Sequence, residues 1–260
     1  MLLLTTHPEE GQLTQALKKR LPPALDSNDK GNSTSLRRAK AILRSGMEPA
    51  WNNARQFTER TWDTGWWLLD METDGLRPES AHITVLRLAY MEGFKIQETK
   101  EIYIHTGHPI PPGVERLTGI TEQQLDEYGV PLEEAVAHLK SLSDKAPFLL
   151  DGHQFHVPFL RRAFSKCGLE FDLSCLYLSG IACCIFGYAL ERRTDKLLDK
   201  ISVPPLETEP REPWLRKLYR LAIAVFHELD SRYKINQVNY LELFYLEPNI
   251  LDQNWGNADD

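Results

Sequence analysis

The hydrophobic and polar positions near residue 66 have the pattern of a buried strand. Residues 66–69 are four consecutive aromatic or aliphatic residues, and the run ends in Asp70-Met71-Glu72. A short apolar run of this kind predicts a β-strand. Because side chains alternate along a strand, Asp70 and Glu72 are expected on one face, just before a turn closed by Gly75.

The residues that follow predict an antiparallel meander. Residues 83–90 favour a second strand, Glu92-Gly93 a turn, and residues 95–105 a third strand. These three strands would form the first half of a mixed sheet.

Apolar spacing further along the chain predicts helices and one more strand. Residues 131–142 have helical spacing, residues 146–150 resemble a buried strand, and a helix is expected from near Val157 toward Gly168. The apolar stretch 175–190 predicts a buried helix, because a membrane span needs roughly 20 apolar residues. The residues expected in the core are Trp67, Leu69, Val85, Leu88, Leu149, Phe159, Leu197, Leu198 and Val225.

Composition predicts a globular protein. The chain has 260 residues, 42% of them hydrophobic, which is enough to bury a core. The formal net charge of −7 argues against a broad electrostatic grip on nucleic acid, although a local basic groove is compatible with it. Residues 1–65 carry ten Lys and Arg and seven Asp and Glu, a net +3, so the remainder carries −10.

Three segments are expected from these patterns. They are a helical N-terminal extension over residues 1–65, a main domain over 66–235 and a C-terminal tail over 236–260. The basic clusters of the extension either contact phosphate or are simply solvated helix faces, and the second interpretation is the simpler one. The tail either packs on its own domain or presents apolar residues to another chain.

Cysteine usage and the first residues indicate a cytoplasmic location. The four cysteines show no C-x-x-C spacing and are expected to be reduced, buried thiols. The first residues lack the basic and apolar regions of a signal peptide, so no membrane partner is expected. The cysteines are Cys167, Cys175, Cys183 and Cys184.

Asp70 and Glu72 form the first candidate for chemistry. Two carboxylates a few ångströms apart at a strand end suit a hard cation such as Mg²⁺ or Mn²⁺ better than they suit Zn²⁺. Alone, Asp-x-Glu is a weak signal, because two solvated carboxylates at the start of a turn share the pattern.

The order of motifs from about Trp66 to about Leu160 resembles the DEDD superfamily of 3′–5′ exonucleases. The resemblance is strongest to the branch of the bacterial proofreading subunit and ribonuclease T. Residues 70–75, with the sequence D-M-E-T-D-G, resemble the family pattern D-x-E-T-T-G, and the meander, an I-P pair at 110–111 and T-G-I-T at 118–121 follow in the family's order. The resemblance implies an α/β fold of the ribonuclease H-like class, with a mixed sheet flanked by helices.

Two family metal ligands are replaced in this chain. Residues 151–160 match the family's H-N-x-x-F-D-x-x-F-L, and His156 stands where the aspartate, the third ligand, belongs. The fourth ligand belongs to H-x-x-x-x-D or Y-x-x-x-D, and neither pattern occurs in the sequence. The segment most similar to this motif places Leu215 at the general base and Arg220 at the last ligand.

The resemblance assigns roles to several residues. Asp70, Glu72 and His156 are the implied catalytic residues, with Asp70 and Glu72 as metal ligands. The residues implied to contact nucleic acid are Thr73, Gly75, Leu117, Phe155 and Arg220. Substitutes for the missing ligands stay open: His156 as a nitrogen ligand, Asp151 with His153, and His227 with Asp230.

The leading hypothesis is a domain derived from a 3′–5′ exonuclease that has lost most or all catalysis and binds nucleic acid or protein. The rival hypotheses are a working exonuclease on single-stranded DNA or RNA with substitute ligands, and a structural subunit of a larger assembly. No cofactor is expected for an impaired site, and Mg²⁺ or Mn²⁺ for an active one. Candidate partners are single-stranded nucleic acid and a protein bound through the extension or tail. Charge balance predicts an ion pair between Arg220 and Asp70 or Glu72, beside a neutral His156.

Overall fold

The computed structural model describes residues 65–151, 153–186, 194–203 and 214–231. The expected N-terminal extension and C-terminal tail lie outside these residues. The strands are β1 (Trp66–Thr73), β2 (Ile83–Glu92), β3 (Lys95–Tyr103), β4 (Phe148–Leu150) and β5 (Cys175–Tyr177). The described helices are α1 (Pro112–Thr118), α2 (Glu122–Tyr128), α3 (Leu132–Ser143), α4 (His153–Lys166), α5 (Leu178–Phe186), α6 (Thr194–Lys200) and α7 (Trp214–Ser231).

The five strands form one mixed sheet in the order β3-β2-β1-β4-β5. The meander is antiparallel, with β2 between β1 and β3. Strand β4 pairs with β1 in parallel, and β5 pairs with β4 in parallel. The predicted fold class, a ribonuclease H-like mixed sheet flanked by helices, is confirmed.

Alternation along β1 divides the core into two layers. Trp66 and Leu68 pack with α5, α6 and α7, and the Trp66 and Phe226 rings are 6.3 Å apart between centroids. Trp67 and Leu69, on the other face, pack with α3 and α4. All nine residues that the sequence placed in the core are buried. Since Asp70 and Glu72 continue the row of Trp66 and Leu68, their side chains point to the α7 side of the sheet.

The T-G-I-T motif ends one helix and begins the next. Gly119 follows α1 with φ at 73°, in the left-handed region that a glycine adopts without a Cβ penalty. Thr121 caps α2 in a capping box, because its hydroxyl accepts from the Gln124 backbone N–H while the Gln124 side chain accepts from the Thr121 N–H. Four residues therefore fix the angle between two short helices.

Several element boundaries differ from the sequence expectation. Helix α4 begins at His153, before the expected Val157. The stretch expected as one buried helix from Cys175 divides into strand β5 and helix α5, because a short apolar run has no periodicity that separates a strand from a helix.

The three cysteines whose side chains the structure describes are not all buried, in contrast to the expectation. Cys183 is buried, whereas Cys167 and Cys175 are half-buried. Among the described helices, none has both the length and the apolar character that crossing a membrane requires.

We expect Gly129→Ala to destabilise the fold, because a Cβ at this position would lie 2.1 Å from the Leu125 carbonyl oxygen and 2.9 Å from the His105 nitrogen. Both neighbours are backbone, so the end of α2 has to shift, at a cost of about 1–3 kcal/mol. The matched control is Gly113→Ala, where a Cβ meets nothing within 4 Å. Urea unfolding measures the free energy of unfolding of both variants, and an equal loss of stability in the two would contradict this account.

Candidate functional site

The candidate site forms where the parallel strands β1 and β4 end. Leu69 pairs with Leu150 in the parallel register, so the next residues, Asp70 and Asp151, lie side by side at the carboxyl edge of the sheet. They are 4% and 5% exposed. Two buried carboxylates repel each other and lose their hydration, so partners or a proton must offset their charge.

Asp151 is held by donors from three other elements. The Thr194 hydroxyl at the start of α6 donates a hydrogen bond to Asp151 Oδ1. The Trp214 side chain at the start of α7 also donates to the carboxylate. The Ser179 hydroxyl donates to the Asp151 backbone carbonyl at 2.5 Å. Asp151 therefore ties β4 to the beginnings of α5, α6 and α7.

The charge state of Asp151 changes near neutral pH. Burial is the main cause that raises the pKa of Asp151, from 3.8 to about 7. The negative charges of Asp70 and Asp195 raise this pKa further, while His156 and the Trp214 hydrogen bond lower it. At pH 7 a large share of the molecules therefore carries a neutral Asp151.

His156 lies against Asp70 from the first turns of α4. Its Nε2 is 3.5 Å from Asp70 Oδ1, and both side chains are buried. The Phe155 ring meets the His156 ring edge-on at 5.7 Å and packs on Phe159 at 5.0 Å, between centroids. The structure thus brings together Asp70, Asp151 and His156, and Phe155 is half-buried beside them.

Glu72 forms its ion pair with Arg87, a residue that the sequence analysis missed. Arg87 Nη1 donates to Glu72 Oε1 at 2.6 Å, and Arg87 Nε donates to Glu101 Oε1 at 3.1 Å. Asp70 is the cross-strand neighbour of Arg87 in the antiparallel register. Burial lowers the pKa of Arg87, but Glu72, Asp70 and Glu101 together outweigh it and raise the pKa above its usual value. The register of the meander is the signal that identifies this residue.

The residues implied to contact nucleic acid have different surroundings. The Thr73 hydroxyl donates to the Gly75 carbonyl at 2.6 Å and closes the turn after β1. Asp74 continues this turn, since its carboxylate accepts from the His82 backbone N–H and lies 3.0 Å from His82 Nδ1. Leu117 on α1 is 64% exposed.

Arg220 and Leu215 lie on α7, inside the fold. Arg220 is 3% exposed, and its guanidinium donates to the Val203 carbonyl at 2.6 Å. Leu215 is also buried. The expected ion pair of Arg220 with Asp70 or Glu72 stays a prediction.

The side chains that could ligate metal ions at this edge of the sheet do not fit a two-metal centre. Hydrolysis of that kind needs two cations about 3.5–4 Å apart, and several carboxylates must balance their charge. Within the part of the chain that the structure describes, no group of three His, Cys, Asp or Glu side chains is placed to hold a metal ion. Glu72 is paired with a guanidinium, and Asp151 is bound by hydroxyl and indole donors.

We expect Asp151→Asn to become more stable relative to the wild type as pH rises. The folded pKa of about 7 exceeds the ordinary 3.8, so the stability that protonated Asp151 contributes is complete below pH 3.8 and is lost as pH rises through about 7. Roughly three pKa units correspond to a relative change of about 4 kcal/mol between pH 4 and pH 7. Urea unfolding across this range measures it. For the control Asp199→Asn, at an exposed position, the curve of unfolding free energy against pH should run parallel to that of the wild type. A parallel curve for Asp151→Asn would refute the raised pKa of Asp151.

Comparison with known proteins identifies the domain. The sequence profile of the exonuclease family RNase_T matches residues 68–201, about half of the chain, and ends before α7. A stretch of 108 residues is 28% identical to the 3′–5′ exonuclease DinG of Staphylococcus haemolyticus and covers 42% of this chain. A stretch of 131 residues is 27% identical to the PolC-type DNA polymerase III of Listeria monocytogenes and covers 50%. The chain spans only 12% and 9% of the length of these two relatives.

Solved structures of exonuclease I have the same fold. Product-bound exonuclease I matches 66% of this chain and 44% of its own, with a TM-score of 0.51 and 18% identity. Exonuclease I of E. coli in complex with a dT13 oligonucleotide matches 66% of this chain and 42% of its own, with a TM-score of 0.51 and 17% identity. The chain belongs to the exonuclease family RNase_T, and its described part is a DEDD 3′–5′ exonuclease-like domain.

Proposed function

We propose that this exonuclease-like domain has lost most or all hydrolytic activity and serves as a binding module for single-stranded nucleic acid. The observation that carries the proposal is the ion pair between Arg87 and Glu72, at 2.6 Å. It engages one of the two carboxylates that match the family's first metal-binding motif.

The guanidinium opposes a cation at Glu72 by its charge and by its geometry. Arginine stays protonated at every physiological pH, so no pH change frees the carboxylate. A cation next to Asp70 and Glu72 would also meet repulsion from Arg87, which lies across the strand from Asp70. The second carboxylate, Asp70, contacts His156, at the position that the family resemblance gives to the third ligand.

The residue at the general-base position supports the same proposal. The family motif places a histidine or tyrosine there, and the matching residue here is Leu215, which is buried in the core. An aliphatic side chain cannot accept the proton of an attacking water. General base assistance contributes typically 10²- to 10⁴-fold to a rate, so its loss alone makes an exonuclease slow.

Binding of a single strand is supported by the surface beside the site. Exonuclease I of E. coli, which has the same fold, has been solved with a dT13 oligonucleotide. The hydrogen-bonded turn after β1 is intact in this chain, and it presents Leu76, which is 83% exposed. Leu117 is a second exposed apolar side chain that bases can contact.

A working exonuclease with substitute ligands is the second candidate. The observation that favours it is the position of Asp151 and His156, both near Asp70. In that case Asp151 has to be ionised, and a bound divalent cation would lower the pKa of about 7 that burial gives this carboxyl group. Partner binding through the N-terminal extension or the C-terminal tail stays a prediction, since both lie outside the described residues. The free thiol of Cys167 agrees with the proposed reducing, cytoplasmic location.

We expect purified protein to trim single-stranded DNA or RNA at a rate near background in Mg²⁺ or Mn²⁺. The missing base alone accounts for a loss of about 10²- to 10⁴-fold. Gel analysis of 5′-labelled oligonucleotides measures the rate, and Asp70→Ala is the control for contaminating nuclease. Trimming that Asp70→Ala abolishes would overturn the proposal and establish the second candidate.

We expect Arg87→Ala to gain affinity for Mn²⁺, because it releases Glu72 and removes a competing cation. A charge-assisted hydrogen bond is worth about 1.5–3 kcal/mol, so the gain should be about tenfold or more. Mn²⁺ should also raise the melting temperature of this variant more than that of the wild type, since a ligand stabilises the state that binds it. Calorimetry measures both effects, with the exposed Arg77→Ala as control. Equal Mn²⁺ affinity in wild type and Arg87→Ala would show that the guanidinium does not block the site.

A further inference from the structure

A pocket of about 640 Å³ lies between helix α4 and the loop that joins β1 to β2. The loop contributes Pro78 and Glu79. The helix contributes four polar residues, Arg161, Arg162, Ser165 and Lys166. A pocket of this size accommodates a ligand of the volume of a nucleotide.

Helical spacing explains why these polar residues meet in one place. Residues four apart on an α-helix are neighbours on its surface, so Arg161 lies next to Ser165, and Arg162 next to Lys166. Val157 and Pro158, one turn earlier, also line the pocket and give it an apolar side. The pocket therefore has a cationic end and an apolar end along one helix.

The charge in this pocket is opposite to that of the chain around it. Three cations, Arg161, Arg162 and Lys166, stand against one carboxylate, Glu79, a local net +2. The chain beyond residue 65 carries −10. Like charges four apart on a helix, such as Arg162 and Lys166, destabilise it. A bound anion would remove this repulsion.

Arg162 adds an unsatisfied donor. Its Nε is buried, and among the residues that the structure describes it has no hydrogen-bond acceptor. Burying a donor without an acceptor is unfavourable, so Arg162 gains a hydrogen bond if its side chain turns until the Nε reaches an anionic oxygen in the pocket. Guanidinium groups bind phosphate with two parallel hydrogen bonds, so phosphate fits this donor better than a monovalent ion such as chloride.

Both walls of the pocket belong to elements that also carry residues of the candidate site. On the helix, Val157 directly follows His156, which contacts Asp70. On the loop, Pro78 and Glu79 follow the turn that begins after Glu72. The pocket and the candidate site are therefore carried by the same helix and by the same strand-to-loop connection.

We propose that the α4 pocket is a phosphate-binding site that takes one nucleotide unit. Its phosphate lies at Arg162 and Lys166, and its sugar or base lies on Val157 and Pro158. We further infer that this unit belongs to a single strand whose end lies at the candidate site, and this second step rests on the proposed function. Free mononucleotide is the other source of the same chemistry.

The first experiment tests the pocket without any nucleic acid. Calorimetry with inorganic phosphate and with thymidine monophosphate should show binding to the wild type and a loss of about tenfold or more in Arg162→Gln/Lys166→Gln. Glu79→Gln should bind about threefold more tightly, because it removes an exposed like charge. The control Lys95→Gln/Lys145→Gln removes the same charge from exposed positions elsewhere. Absence of phosphate binding, or an equal loss of phosphate affinity in the two double variants, would overturn the proposal that this pocket binds phosphate.

The second experiment tests the source of the phosphate. Anisotropy with fluorescein-labelled oligo(dT) over a range of salt should give a slope of log K against log[salt] that is about 1.4 shallower in Arg162→Gln/Lys166→Gln, since each phosphate contact on a single strand contributes about 0.7. A change in slope separates loss of these contacts from a change in folding. If phosphate binds but oligo(dT) neither binds nor competes with it, the single strand is not the source of the phosphate and the proposed function is overturned. The mononucleotide is then the source.

Discussion

The parallel pairing of β1 with β4 determines where the two buried aspartates of the candidate site lie. Because Leu69 and Leu150 share a register position, both strands deliver an aspartate to the same edge of the sheet. The edge is buried under α4 and the first turns of α6 and α7, so Asp70 and Asp151 lose most of their water. The free energy of those two charges is the constraint that the surrounding residues have to meet.

The chain meets this constraint with its own groups. Arg87 supplies a cation to the row of carboxylates on β1, at Glu72. His156 lies beside Asp70. Burial raises the pKa of Asp151 to about 7, so that a bound proton offsets the charge of this carboxylate. In a two-metal exonuclease the cations do this work. A site that is balanced internally gains less from a metal ion, because the ion has to displace partners that are already present.

The sequence was sufficient to predict strand β1, the turn after it and the two carboxylates at its end. It was not sufficient to predict which side chains contact the carboxylates of the site. A run of apolar residues that ends in Asp70 and Glu72 identifies the strand and the shared face. Arg87 was already visible in the second strand, yet its contact with Glu72 depends on the register of the meander, which a sequence pattern does not fix. Thr194 and Trp214 reach Asp151 from 43 residues and more along the chain, and no local pattern predicts contacts of that kind.

The proposed loss of catalysis and the proposed binding of phosphate rest on the same physical argument about charge. The charges near Asp70 are partly offset by His156 and Arg87, and Leu215 is a buried residue of the hydrophobic core. The outer face of α4 has the opposite condition, since Arg162 and Lys166 repel each other and the Arg162 Nε has no acceptor among the described residues. A cluster of like charges without a counter-charge attracts ligands of opposite charge, whereas charges that are already paired do not. The proposed phosphate site therefore lies on a different face of the domain from the proposed catalytic edge, so the two proposals can be tested separately.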